Sequence, residues 1–403
     1  MASTRQTPQG TRDSSNINPF FWRPPVDPDK PALPYLPGFS IQICRHAPLP
    51  AYATDQELNE LGHQDRQPIH GDDLYNVTQS EAVALNPPDQ GVPPTQTGTV
   101  QLTITSSIAI GAVRGAQIVA CTITPEDGHQ FKACAKIYDP LYYNFQSTIG
   151  RCPQDCVREA DEDYIVETWA YNFIEQKTDQ AGSFSPKFYG SWTFTLPITL
   201  KARGELIQRP VRLILLECLE GASIQGSRAQ NNPARGSLTD SFHYPEEYRL
   251  EVLARAMDGY VKLRQAGIVQ GDFAGRNIVL VTRNEESGVQ LEKICGLILP
   301  RIVLVDYNQA YRRRDFSPDE VETRPVNPAM EFWREYLFRD IAGWVPGRWS
   351  DVEVQQQWLL QRFCGHDRQA SYRPVPQWIM GRFALLHPQG SGPLVDADSF
   401  EAA

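Results

Sequence analysis

The chain has 403 residues, 38 basic and 48 acidic side chains, and a formal net charge of −10. That length suits two or three domains, and the acidic balance argues against bulk nucleic-acid binding and gives no reason for attraction to an anionic membrane surface. No apolar run reaches the roughly 18 residues of a membrane span, and Met1–Gly10 has no apolar segment of the kind that opens a secretory signal.

Eight cysteines are scattered along the chain, and Cys121, Cys134 and Cys218 fall inside predicted strands. This usage fits reduced, buried thiols and a cytoplasmic location better than a disulfide framework. Cys152 and Cys156 form the one close pair, but no second pair or nearby histidine completes a zinc site, so they read as part of a surface loop.

Residues 1–37 hold eight prolines among Asn, Ser, Asp and Arg, and read as a mostly disordered leader from which Phe20, Phe21 and Trp22 could dock. Residues 38–97 read as an N-terminal extension, with a short alternating strand at Phe39–Cys44. Its histidines His46, His63 and His70 share no spacing and are expected in solvent.

From residue 98 the pattern changes. Val100–Ile110, Ala116–Thr124 and Phe131–Tyr138 alternate as three antiparallel strands. The first turn, Gly111–Gly115, lets backbone amides approach an anion without a Cβ in the way, or is an ordinary hairpin turn. Lys136 shares a strand face with Lys132, Cys134 and Tyr138. If that face is covered the ammonium needs a partner; if it is open the lysine is solvated. Residues 161–176 predict a helix capped by Asp161, on which Tyr164, Glu167, Tyr171 and Ile174 share one stripe. A carboxylate inside such a stripe is rarely buried unpaired, so Glu167 is the expected partner of Lys136.

Phe188–Leu196 and Arg212–Gly221 predict two more strands, and residues 222–243 a polar loop. Glu246–Ala266 predicts a long helix with a broad apolar stripe, closed by Gly267. It runs into Gly271-Asp-Phe-Ala-Gly-Arg-Asn277, which carries Asp272 and Asn277 in the spacing D-x-x-x-x-N. After an excursion over 282–300, the apolar run Arg301–Val305 delivers Asp306 at a predicted strand end. Two carboxylates and an amide on loops fed by buried strands suit Mg²⁺, which takes oxygen ligands and shares them with substrate phosphates. Arg312, Arg313 and Arg314 read as solvated, helices are expected over 331–341 and 352–364, and Trp333, Trp344, Trp349, Trp358 and Trp378 as core.

The ordered set of hairpin, strand lysine, helical glutamate and two acidic loops resembles the protein-kinase-like phosphotransferases over about residues 98–380. It is closest in character to fungal kinase-like proteins and to aminoglycoside- and choline-kinase-like enzymes. Their loop commonly reads H-G-D-F-x-x-R-N; Gly271, Asp272, Phe273, Arg276 and Asn277 match, and Gln270 stands in place of the histidine. The resemblance implies an α+β, two-lobed fold: a small lobe and hinge over 98–221, with an antiparallel sheet and one helix, and a mainly helical large lobe over 222–403. It also implies ATP and Mg²⁺ as cofactors and an unidentified hydroxylated acceptor. On that basis Asp272 is the catalytic base, Lys136 and Glu167 the phosphate-binding pair, and Asn277 and Asp306 the metal ligands. Gly111 and Gly115 would cover the phosphates, and Glu217 and Leu219 lie on the adenine-binding hinge. The short segment after Asp306 and the missing A-P-E motif favour a small-molecule acceptor over a protein. Gln270, expected to hold the loop less well than an imidazole, keeps a catalytically silent binding module as the alternative.

Overall fold

The computed structural model describes residues 22–60, 71–94, 97–112, 114–147, 152–230, 239–283, 290–313, 324–365 and 370–379. These fall into two compact units: the first runs to Trp169 and resumes over Tyr189–Cys218, and the second comprises Ala170–Phe188 and the chain from Leu219 onward.

The first unit is built on a closed barrel. Strand β1 (Ser40–Arg45) is followed by short helices α1 (Asp55–Glu60), α2 (Gly71–Leu74) and α3 (Gln79–Leu85). Then come β2 (Thr99–Ala109), β3 (Gln117–Pro125), β4 (Phe131–Tyr138), helix α4 (Cys156–Lys177), β5 (Phe188–Leu200) and β6 (Glu205–Leu216), with barrel order β1-β2-β3-β4-β6-β5. In β3 every second residue is buried, as its Ile, Val and Thr alternation predicts. Ala133, Ala135 and Ile137 of β4 supply the inward face, each at most 1% exposed. Lys136 pairs in register with Ile118 of β3 and Ile214 of β6, so its backbone is central in the sheet.

Five expectations need correction here. The segment 38–97 is not an appendage, because β1 pairs antiparallel with both β2 and β5 and closes the barrel. Within the leader, Trp22 is buried against Tyr75 and Phe145, and the Tyr35 hydroxyl donates to Asp139 at 2.5 Å; Phe20 and Phe21 lie outside the described residues. Helix α4 begins at Cys156, five residues before the expected cap, because the Asp155 carboxylate accepts from the amides of Val157 and Arg158. That start buries Cys156, so the expected surface loop around Cys152 and Cys156 ends in a helix. His46 is also buried, at 8% exposure, rather than solvated; His63 and His70 lie outside the described residues.

The second unit is organised around α5 (Glu246–Gln265), closed by Gly267 at φ +105°, a conformation glycine reaches without strain. Before it, β7 (Gly221–Ser223) replaces the start of the expected 222–243 loop. After it, β8 (Ile268–Val269) and β9 (Ile278–Val281) flank the Asp272 loop. The turn pair β10 (Lys293–Ile294) and β11 (Leu297–Ile298) lies inside the 282–300 excursion, before β12 (Arg301–Leu304) and β13 (Tyr311–Arg312). Strand β9 is central in a three-stranded sheet ordered β12-β9-β7, and β13 pairs with β8. Arg312 therefore sits in a ladder, while Arg314 lies outside the described residues.

The expected helix over 331–341 is two short ones, α6 (Pro328–Glu331) and α7 (Leu337–Asp340). The Asn327 side chain caps α6 at Ala329 and also reaches the Phe363 carbonyl at the end of α8 (Val352–Phe363). Trp333, Trp344 and Trp349 are core, but Trp378 is 52% exposed, against expectation. No helix among the described residues is long and apolar enough to cross a membrane.

Candidate functional site

Strand alternation aims Lys136 and Tyr138 away from the barrel interior and toward α4. There the Lys136 ammonium meets Glu167 Oε2 at 2.5 Å, with the lysine side chain 9% and the glutamate 0% exposed. The Tyr138 hydroxyl donates to the same oxygen at 2.7 Å, and the ammonium lies 5.9 Å from the Tyr138 ring centre. Burial, and then the Glu167 charge, push the Tyr138 phenol well above its usual range. It therefore remains a donor, which a carboxylate withdrawn from water requires. The strand face that Tyr138 shares with Lys136 is the sequence signal for this role.

The turn after β2 behaves differently from the expected phosphate cradle. Gln117, fully buried, accepts from the Gly111 amide at 2.8 Å and donates to the Gly111 and Gly115 carbonyls at 3.0 and 3.1 Å. The Gly111 amide is thus paired inside the turn. A Cβ on Gly115 would meet Tyr143 and Asp163 only at ordinary contact distance, so no close backbone approach requires glycine there. Val113 lies outside the described residues. Glu217 and Leu219 stand on either side of the point where the first unit gives way to the second, and both are half-buried.

In the second unit the Asp272 loop is held from three sides. Gly271 adopts φ +86°, and a Cβ there would come within 2.4 Å of the Gln309 carbonyl, so the position requires glycine. Asn277, 3% exposed, donates from Nδ2 to the Asp272 carbonyl at 3.0 Å and to Asp272 Oδ2 at 2.8 Å. This leaves Oδ1, the atom a cation would take, outside that pair. Arg276 reaches both Asp272 oxygens, at 2.7 and 2.6 Å, from a side chain 57% exposed.

Gln270, expected to hold the loop less well than an imidazole, makes three hydrogen bonds here. Its Nε2 donates to the carbonyls of Val305 and Asp306 at 3.2 and 2.7 Å, and its Oε1 accepts from the Asp272 amide at 2.8 Å. The side chain is 1% exposed and ties the two acidic segments together. Asp306 stands two residues beyond the end of β12 rather than at it, with φ +65°. For a non-glycine residue that conformation costs on the order of 1–3 kcal/mol and is held by its surroundings. The Val305 amide donates to the Asn277 carbonyl at 2.9 Å, which extends the β9–β12 ladder and sets Asn277 and Asp306 at the same end of the ribbon. Beside Asp306, the Tyr307 ring is buried and packs edge-on against Tyr171 at 5.1 Å.

A cavity of about 420 Å³ opens on the Asp272 side. Tyr260, Phe273 and Phe332 form its ring-lined wall, with centroids 4.9–5.5 Å apart. Its charged rim includes Glu331, whose carboxyl burial raises above the usual range while Arg264 opposes the shift. Among the described residues no group of three or more His, Cys, Asp or Glu side chains gathers as a self-sufficient metal site.

No protein-family model matches the chain, and no curated protein matches it. Among solved structures, the crystal structure of a BubR1 kinase domain matches over 78% of this chain and 87% of that domain, at 12% identity and a TM-score of 0.38.

Proposed function

We propose that the chain is a kinase-like phosphotransferase that uses ATP and Mg²⁺ to transfer a phosphoryl group to a hydroxyl of a small molecule. The observation that carries this reading is the Gln270 bridge, which links the Asp272 loop to the backbone at Val305 and Asp306. Structural loops need no such coupling, whereas a site with one acid for the acceptor and another for a metal depends on it.

The donor set fits the implied cofactor. Asn277 Oδ1 and the Asp306 carboxylate are hard oxygen donors, and Mg²⁺ bound through phosphates needs only one or two protein carboxylates. When bound, the metal ion neutralises charge on the transferring phosphoryl group. Lys136, fixed by Glu167 and Tyr138, would hold the α- and β-phosphates. Asp272 would orient the acceptor hydroxyl and take its proton on a carboxylate oxygen. The 420 Å³ cavity beside it is the size of small-molecule sites and favours such an acceptor over a protein. A silent binding module is the second reading, favoured by Arg276 lying across both Asp272 oxygens and by the internally spent Gly111 amide.

Calorimetry of ATP with and without Mg²⁺, on the wild type and on Asp306→Asn, tests the proposal. The expected outcome is Mg²⁺-dependent binding that Asp306→Asn abolishes without unfolding the protein. Equal Mg²⁺-ATP affinity in a folded Asp306→Asn variant would remove Asp306 from the metal site. Turnover with none of a broad panel of hydroxylated acceptors, despite tight Mg²⁺-ATP binding, would leave the silent module.

A further inference from the structure

The chain before β2 does more than close the barrel: residues 46–52 and 86–89 grip the helix that carries Glu167. Four contacts fall along α4 and the Asp155 that precedes it. Asn86 donates to Asp155 at 3.4 Å, the Asp89 amide donates to Asp161 at 3.0 Å, His46 meets the Tyr164 hydroxyl at 2.7 Å, and Tyr52 packs edge-on against Trp169 at 5.1 Å. From residue 155 to residue 169 a helix rises about 20 Å, so the grip spans most of the first-unit part of α4. Tyr164 lies one turn before Glu167, on the same stripe, and its ring is tilted against that of Tyr138 at 5.5 Å.

The His46 contact is directional. Burial, and then Arg212, lower the imidazole to about 4, so the ring is neutral near pH 7. Its Nε2 faces the Gln90 carbonyl at 3.0 Å, which can only accept, so Nε2 carries the proton and Nδ1 accepts from Tyr164. Gly91 seals this arrangement: at φ +71°, a Cβ on it would come within 2.1 Å of the Ala47 carbonyl and 2.9 Å of the His46 ring.

We propose that residues 46–52 and 86–91 act as a built-in clamp, with His46 and Tyr164 as positioning residues that set the register of α4 and so hold Glu167 on Lys136. The inference rests on the phosphotransferase reading for its consequence and on the geometry of the first unit for its mechanism. A helix that must deliver a carboxylate to a lysine can slide or rotate away, and the clamp withdraws that freedom permanently. Control of the Lys136–Glu167 pair would thus come from within the chain, without a separate activating subunit.

The test uses the full chain and two readouts. Hydrogen exchange compares amides of α4 with those of β3 and β4, and calorimetry measures Mg²⁺-ATP affinity. Tyr164→Phe should speed exchange in α4 selectively and weaken Mg²⁺-ATP roughly 5-fold or more, the scale of a coupling between sites. In a Glu167→Gln background the same substitution should change affinity less than about 2-fold, because the group it positions is already lost. Equal weakening in both backgrounds, or exchange that rises equally in β3, β4 and α4, would make the contact merely structural and overturn the clamp. Should Tyr164→Phe fail to fold, Tyr52→Gly serves instead, since Tyr52 is 53% exposed and its φ of +64° suits glycine. If the wild type binds no Mg²⁺-ATP, the phosphotransferase reading falls, and selective exchange in α4 decides the clamp by itself.

Discussion

The two acidic centres of this protein are held by opposite means. Glu167 is fully buried and fixed by side chains: an ammonium and a phenol converge on one oxygen. Asp272 is 21% exposed; its backbone is set by a left-handed glycine, a buried glutamine and an asparagine, and its carboxylate rests against Asn277 and the solvent-exposed Arg276. A charge held by side chains in a dry environment is inseparable from stability, because removing either partner strands the other. A charge presented by a backbone scaffold can be altered with little cost to the fold. The contrast predicts which residues report on chemistry and which report on folding.

The largest expected effect lies on the exposed side. Asp272→Asn should slow turnover by roughly 10²–10⁴-fold, the range for losing a general base, while Mg²⁺-ATP affinity and thermal stability stay close to wild type. Comparable losses of affinity and turnover would place Asp272 among the phosphate-binding groups instead. On the buried side, Lys136→Met should cost about 3–5 kcal/mol in urea unfolding, because it takes the ammonium from a carboxylate that is 0% exposed. A loss below roughly 1 kcal/mol, the size of a surface pair, would show that the pair is better hydrated than its exposure indicates.

Gln270→Ala removes three hydrogen bonds and should cost on the order of 1–3 kcal/mol in the same unfolding measurement, the penalty of leaving buried polar groups unpaired. It should also reduce turnover more than nucleotide affinity, because the Asp272 amide loses its acceptor. An unaffected turnover would separate the bridge from the chemistry.

The smallest effect concerns pH. Glu159 on α4 is raised to about 7, by burial first and then by Asp163, Glu162 and Asp155. Its folded value exceeds its unfolded one, so the native state binds the extra proton between the ordinary value of 4.5 and about 7, and stability falls as pH rises through that window. Since the side chain is half-exposed, solvent screening limits the gain from Glu159→Gln at pH 8 to about 1 kcal/mol or less. Melting curves from pH 4 to 8 should show a flatter profile for the variant.

What could be read from the sequence divides along the same physical line. Strands β2 to β4 follow from local alternation, and the pairing of Lys136 with Glu167 follows from two local periodicities meeting under the cost of burying a charge. The partners of Gln270 were not legible because they lie 35 and 36 residues away, which no local pattern encodes. The N-cap of α4 moved from Asp161 to Asp155 because both are aspartates at plausible positions. Only the Asp89 amide, 72 residues upstream, shows that Asp161 belongs to a buried contact. The role of β1 was hidden for the same reason: six residues that alternate announce a strand, but not that it completes a barrel.

That last strand has a consequence for how the protein is made. Cys44 of β1 pairs with Thr193 of β5, so the barrel cannot close until residue 193 has left the ribosome. At roughly 5–20 residues per second, β1 waits on the order of 10 s for its second neighbour. Throughout that interval the growing sheet presents unpaired backbone along its open edges, the state in which strands are captured by other chains. Nascent chains stalled before residue 188 should therefore depend on chaperones far more than chains stalled after residue 216, where every barrel strand is present.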